Sequence, residues 1–543
     1  MQRPNVIRSL ATVVLAAVVV LHAGEVPAAE GPHGERWHGN RARPDVLLIM
    51  ADQFNPRCMG CAGDPVIKTP HLDRLAREGA LFENCYTNSP VCMPARISLV
   101  TGRYPHEHGW WTNFVDRFPP EEVTLFRDLS RAGYFTAQTG KFHYFTDTNL
   151  EDFRDQADYY AALGLDRADE LPGWFASPFH LSAYSDYLIR RGLLDVHLDD
   201  AMARFLAGQC AARPSPLKVE DHLDSFVARR AIEFLEAAPK DRPFFHFVSF
   251  PGPHTPVDAV GPYAEMYDPA EIPMPPNVPA GGSEGGHRYN ERDVRKIRAF
   301  YYAKISLIDH WIGKILATLE ERGTLDNTLV IFTADHGDMM GAHGRFGKVV
   351  FYEESARIPL LARWPGQIRP GLRTPVLTTL HDVYATLLDA AGGQMAETAH
   401  GKSWLPVCRG ETDVLHEAVF SEVGPGNAQN TMVHAGEYKY WTWGGRESLV
   451  HLADDPYERH NLAGRKDPQV QRVLDDMRQR LADFLPEEKN NFTRGYKPLF
   501  TRIRRGSDAP LREILEQWRV EWEKAARASP YLEGAVPEPP AVK

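Results

Sequence analysis

The chain has 543 residues, 43% of them apolar and 24% charged. That is long enough to bury a large core with a smaller unit beside it, and too ordinary in composition for a disordered, collagen-like or multi-span membrane protein. A total of 61 Lys and Arg against 72 Asp and Glu leaves a net charge of −11 with no long basic run, which excludes nucleic acid as the main partner.

Arg3 and Arg8 precede an apolar run from Leu10 to Leu21 and then Val26-Pro27-Ala28-Ala29. This pattern predicts a signal peptide over residues 1–29 and an exported protein, periplasmic or secreted. The run falls short of the roughly 20 residues of a bilayer span, and no later stretch reaches that length, so no stable membrane span is expected. An uncleaved anchor is the alternative reading.

After polar sequence through residue 43, Val46 to Met50 reads as a buried strand that ends at Asp52 and Gln53. Cys58 and Cys61 form a C-x-x-C with no second pair at zinc spacing; six cysteines are too few for a disulfide scaffold, although export permits one or two bridges. Thr69 is the expected N-cap of a helix that Pro70 starts, Leu72, Leu75 and Ala76 line, and Gly79 ends. Further strands are expected at Phe244 to Phe250 and at Thr328 to Thr333. Between them, Ile297, Tyr301, Ile305, Ile308, Ile312, Ile315 and Leu319 mark a long helix stopped by Gly323, and Pro273 to Gly286 reads as an irregular loop. Beyond Gly392 come short aromatic-rich segments such as Tyr438 to Trp443, then a helix from Gln469 to Leu485.

Strands alternating with helices predict an α/β fold, a large and mostly parallel sheet sandwiched by helices over 44–395, with a smaller α+β unit at 396–488. The tail at 489–543 carries a sequon at Asn491 and one amphipathic helix with Leu511, Ile514, Leu515, Trp518 and Trp522. That helix needs a surface on its own chain or on another subunit, so an oligomer through the tail is one outcome. Ligands of such folds collect at carboxyl ends of strands, where Asp52, His254 and Asp335 stand.

Cys92-Met93-Pro94-Ala95-Arg96, followed by Leu99, Thr101-Gly102-Arg103 and Gly109, resembles the signature of the type I sulfatases of the alkaline phosphatase superfamily. Family-like segments recur in order at Pro44 to Gln53, Thr69 to Gly79, Gly133 to His143, Pro243 to Pro256, Asp335 to Lys348 and Asp454 to Leu462. The resemblance implies that a formylglycine-generating maturation enzyme oxidises Cys92 to formylglycine, whose hydrate is the nucleophile. It also implies an alkaline phosphatase-like fold. A bare thiolate would need a neighbouring base, and no protease-like Cys/His signature surrounds Cys92.

Asp52, Gln53, Asp335 and His336 form two adjacent pairs at strand ends and, with Cys92, the expected metal site. Carboxylates and an amide oxygen favour Ca2+ or Mg2+, the resemblance tilts the choice to Ca2+, and the His336 nitrogen would also accept Mn2+. Gln53 and His336 depart from the Asp and Asn often found in the family.

A transferring sulfuryl group spreads negative charge over its oxygens, which cations stabilise. The resemblance assigns Arg96 to the hydrated aldehyde and metal site, Lys141 and Lys348 to sulfate oxygens, His143 to the second hydroxyl of the hydrate and His254 to protonating the leaving oxygen. Gly140-Lys141-Phe142-His143 carries Phe where the family usually has Trp. His246 reads as a core residue, His343 as a substrate or supporting group, and Arg357 as a brace for the metal loop. The reaction expected is sulfate monoester hydrolysis, by attack of the hydrate oxygen on sulfur and later loss of sulfate. Two alternatives are a phosphate or phosphonate monoester hydrolase and an inactive sulfoglycan-binding protein. Trp110, Trp111, Trp174 and Tyr184 would suit stacking on sugars, making a sulfated glycan the leading substrate over another sulfated small molecule.

Overall fold

From Val46 to Asp52 every residue is buried, as a strand covered on both faces requires. This is β1 (Asp45–Asp52) of an eight-stranded sheet in a computed structural model. The structure describes residues 43–113, 117–145, 152–173, 177, 180–208, 210–278, 289–424, 429–485, 511–528 and 530–532. The signal peptide, Trp174 and the sequon fall outside the described residues.

The other strands of this sheet are β2 (Ala80–Tyr86), β3 (Phe135–Gly140), β4 (Arg167–Glu170), β5 (Phe244–Pro253), β6 (Thr328–Ala334), β7 (Arg357–Arg363) and β8 (Leu372–Thr379). Their order is β4-β3-β5-β1-β6-β7-β2-β8. Every pairing is parallel except the two made by β7. Helices Leu223–Ala237 and Glu291–Glu321 pack against β5, and helix Pro70–Glu78 against β7. The long helix is buried along Ile297, Tyr301, Ile305, Ile308, Ile312, Ile315 and Leu319, the spacing read from the sequence.

Thr69 precedes helix Pro70–Glu78, but its hydroxyl does not cap it. The Thr69 oxygen instead accepts from the Gly60 amide at 2.9 Å and donates to Asp73 at 3.1 Å. The helix amides of His71 and Leu72 are taken by the Asp309 carboxylate, at 3.1 and 2.8 Å, from the long helix.

A second, antiparallel sheet of β9 (Ala418–Val423), β10 (Asn430–Ala435), β11 (Tyr438–Trp443) and β12 (Arg446–His451) runs in the order β12-β11-β10-β9. Val419, Met432, Trp441 and Val450 of this sheet form one apolar cluster with Tyr86, Val91, Phe351 and Ala356. Its other cluster includes Val433, Tyr440, Leu449 and, from helix Pro468–Phe484, Leu474, Met477 and Leu481. The tail helix Leu511–Arg527 packs on its own chain, against helices Ala183–Arg190 and Leu194–Ala207. All six cysteines are unpaired, including Cys58 and Cys61. Among the described residues, no helix is long and apolar enough to cross a membrane.

Candidate active site

Strands β3, β5, β1 and β6 lie side by side, with Gly140 paired to Ser249, Asp52 to Pro253 and Ala51 to Ala334. Lys141, His254, Gln53 and Asp335, each the next residue on its strand, therefore emerge along one rim. Gln53 and His143 adopt left-handed backbone, at φ 65° and 62°. Non-glycine residues do so at a cost that clusters at functional sites.

Cys92 begins the fully buried helix Cys92–Thr101, where the positive end of the peptide dipoles favours an anion. Its sulfur lies 2.8 Å from Lys348 Nζ, 3.1 Å from His336 Nε2 and 3.9 Å from Asp52 Oδ1. Burial pushes the thiol pKa up, but Lys141 and Lys348 oppose it, and the thiol is held well below its ordinary value. Burial and Cys92 likewise raise Asp52, yet Lys141, His254 and Lys348 keep it below the usual carboxylate range.

Arg96, 1% exposed, links three strands. Its guanidinium donates to Asp335 Oδ2 at 2.9 Å, to the Lys141 carbonyl at 2.7 Å and to Ser249 Oγ at 2.8 Å, and lies 3.7 Å from Asp52. The Lys141 ammonium contacts Asp52 Oδ2. His254 Nε2 is 3.0 Å from Lys348 Nζ, and its Nδ1 faces the Thr255 carbonyl. A carbonyl can face only a donor, so Nε2 accepts from the lysine. Burial and then Lys348 lower the His254 pKa; burial also lowers that of His143, while Cys92 opposes the shift.

The same logic orients His336. Its Nδ1 lies 3.0 Å from the Gly337 carbonyl and donates to it, leaving the Nε2 lone pair toward Cys92. Ligand atoms of Asp52, Cys92, Asp335 and His336 all lie within 4.8 Å of one another. The Gln53 side chain spends its nitrogen on Asp338 and Thr255, while its buried Oε1 has no hydrogen-bond partner among the described residues. Two buried carboxylates, an imidazole lone pair and an orphaned amide oxygen fit a divalent cation that accepts oxygen donors.

Several supporting residues escaped the sequence reading. Asp338 accepts from the Met340 and Gly347 amides at 2.8 and 3.0 Å, closing the loop that ends at Lys348. Glu170 accepts from the His143 amide at 3.2 Å, and burial pushes it up to about 8 despite backbone bonds from His143 and Phe142. Asp338 follows Asp335-His336-Gly337 closely enough to have been suspected; Glu170, on an edge strand, left no signal.

Other expectations need correction. Arg357 does not reach the metal residues: it pairs with Glu353 at 2.8 Å and donates to the Glu83 carbonyl at 2.9 Å. The metal loop is braced by backbone, the Gly337 amide donating to the Ser355 carbonyl at 2.9 Å. Trp111 and Tyr184 are buried in the interior and offer no ring to a sugar; Trp110 is half-buried beside Phe118. His246, by contrast, is the core residue expected, 3.0 Å from Thr139 Oγ1 and pushed down to about 3 by burial.

The parallel sheet, the cation-rich rim and the paired acids at its strand ends define a hydrolase of the alkaline phosphatase superfamily. Residues 44–393 match the sulfatase family model, and residues 341–487 match the model for the C-terminal part of N-sulphoglucosamine sulphohydrolase. The chain belongs to the sulfatase family and is a sulfuric ester hydrolase. It is 29% identical over 490 residues to an arylsulfatase of Clostridium perfringens, covering 84% of this chain and 97% of that one. A choline-sulfatase of Rhizobium meliloti is 31% identical over 451 residues, 78% of this chain and 82% of the relative. Among solved structures, the phosphonate monoester hydrolase of Agrobacterium radiobacter superposes with a TM-score of 0.67 at 26% identity, covering 81% of this chain and 95% of that one.

Proposed function

We propose that this chain hydrolyses sulfate monoesters of a carbohydrate, using a formylglycine made from Cys92 and a divalent cation, most simply Ca2+, held by Asp52, Gln53, Asp335 and His336. The observation that carries the reading is the Cys92 sulfur, buried at a helix start between Lys348 at 2.8 Å and His336 at 3.1 Å. Formylglycine supplies a hydrated aldehyde as nucleophile, and the cation supplies charge for sulfate oxygens.

The remaining work falls to side chains of this chain. Lys141 and Lys348 hold sulfate oxygens and offset the charge that grows on them. Arg96 fixes the position of residue 92 against Asp335. His254 delivers a proton to the departing alcohol oxygen; bound sulfate draws the Lys348 ammonium and raises the histidine's affinity for that proton. His143 takes the proton whose removal lets sulfate leave. An ulvan-active sulfatase of Formosa agariphila, 27% identical over 465 residues, supports the carbohydrate reading. The pattern of residues 1–29 supports export before the enzyme acts.

The first test is the mass of the tryptic peptide Glu78 to Arg96, from protein made with a maturation enzyme present. A formylglycine mass is expected; an intact Cys92 thiol despite competent maturation would sink the mechanism. Likeness to the phosphonate monoester hydrolase supports a second reading, and rates on matched aryl sulfate and aryl phosphonate decide between them. A phosphonate preference would replace the sulfate ester as substrate.

A further inference from the structure

Apart from the catalytic rim, a second group of ligand-type side chains is buried where four segments meet. His343 follows β6, Glu354 lies in the short helix Glu353–Ala356, and Glu458 follows β12; one donor atom of each lies within 4.8 Å of the others. Asn277, beyond β5, joins them with its Nδ2 3.3 Å from Glu354 Oε1 and 3.1 Å from the Tyr457 carbonyl. Three atoms of this group are buried without a hydrogen-bond partner among the described residues: His343 Nε2, Glu354 Oε2 and Asn277 Oδ1. Glu354 is 3% exposed and Asn277 7%. Buried polar atoms left without partners call for a counterpart that the described residues do not provide.

Charge points the same way. Three carboxylates, Glu353, Glu354 and Glu458, are packed together. Lys439 lies 2.7 Å from Glu353 and 2.5 Å from Glu458, and Arg357 lies 2.8 Å from Glu353, but Arg57 approaches Glu354 only to 4.0 Å. The histidine is held ready as well. His343 sits in left-handed backbone at φ 52°, and its ring is stacked on Tyr352 at 3.8 Å.

We infer that His343, Glu354, Glu458 and Asn277 form a second divalent-cation site, separate from Asp52, Gln53, Asp335 and His336. One imidazole nitrogen with carboxylate and amide oxygens suits a borderline ion, Zn2+ or Mn2+. Glu458 Oε2 accepts from the Glu353 amide at 2.7 Å and keeps a second lone pair for a cation. The ion fastens the loop that runs on to Lys348 to the turn after β12. Its role is structural, and it takes no part in the ester chemistry.

The test counts metal in full-length protein, stripped by chelator and reloaded with Zn2+ or Mn2+, so its outcome does not depend on turnover. The wild type is expected to hold two equivalents and Asp335→Asn one. Adding His343→Gln or Glu354→Gln to Asp335→Asn should weaken the remaining site by on the order of tenfold or more in calorimetry. No binding by folded Asp335→Asn, or binding unchanged by both further substitutions, would overturn the site. Should the double variants fail to fold, anomalous scattering from wild-type crystals at the zinc edge decides. A peak between Glu354 and Glu458 supports the site, and a featureless map there rejects it.

Discussion

Lys348 lies 256 positions from Cys92 in sequence and 2.8 Å from its sulfur in space, with His254 3.0 Å away on the other side. Under the proposed mechanism, Lys348→Ala removes one of the two ammonium groups that meet the sulfate. We expect kcat/KM for an aryl sulfate to fall about 10²- to 10³-fold with the peptide mass at residue 92 unchanged. A loss below about threefold would remove Lys348 from the reacting group. The residues named for chemistry could be picked out because each sits in a short motif, several of them just beyond an apolar strand. Glu170, Asp338 and the group around His343 were not, because their meaning comes from what the chain brings next to them. The aromatic residues show the reverse error: Trp111 and Tyr184 looked like a sugar platform in sequence and are interior in the fold.

At the scale of elements, the helix Pro70–Glu78 is the clearest lesson. Thr69 and Pro70 predicted its start correctly, while the group that satisfies its first amides is Asp309 from another helix. Burial pushes Asp309 up to about 7, although the bonds from Leu72 and His71 lower it. A carboxyl with a raised folded pKa is most favourable while protonated and loses stability as pH climbs from its unfolded value, about 4, through 7. Asp309→Asn keeps the accepting oxygen and cannot ionise. Its stability relative to wild type should therefore rise between pH 4 and 7, by at most about 1.4 kcal/mol per pH unit, and level off above. Denaturant unfolding at several pH values would show it, and a constant difference would refute the assignment.

Across the whole molecule, the tail helix Leu511–Arg527 packs on the helices Ala183–Arg190 and Leu194–Ala207. Trp522 is 1% exposed there, and Arg519 contacts Asp199. Of its apolar stripe, Trp522 is covered by this chain itself. Trp522→Ala should destabilise the protein by about 3–5 kcal/mol in denaturant titration, as loss of a large buried ring does. An effect below about 1 kcal/mol would mean that the helix is only loosely seated.

Apolar periodicity in the sequence alone determined the α/β class, the three strands β1, β5 and β6 and the long helix, since burial on one or two faces leaves a spacing that can be read directly. Motif chemistry alone named the rim residues and the family. What only the tertiary structure decided is adjacency: the order β3-β5-β1-β6 that places Lys141, His254, Asp52 and Asp335 together, the antiparallel β7, the Asp309 cap and the pairing of Lys439 with Glu353 and Glu458. Such contacts join residues far apart in the chain, and a local pattern holds no record of a partner that the fold alone brings near.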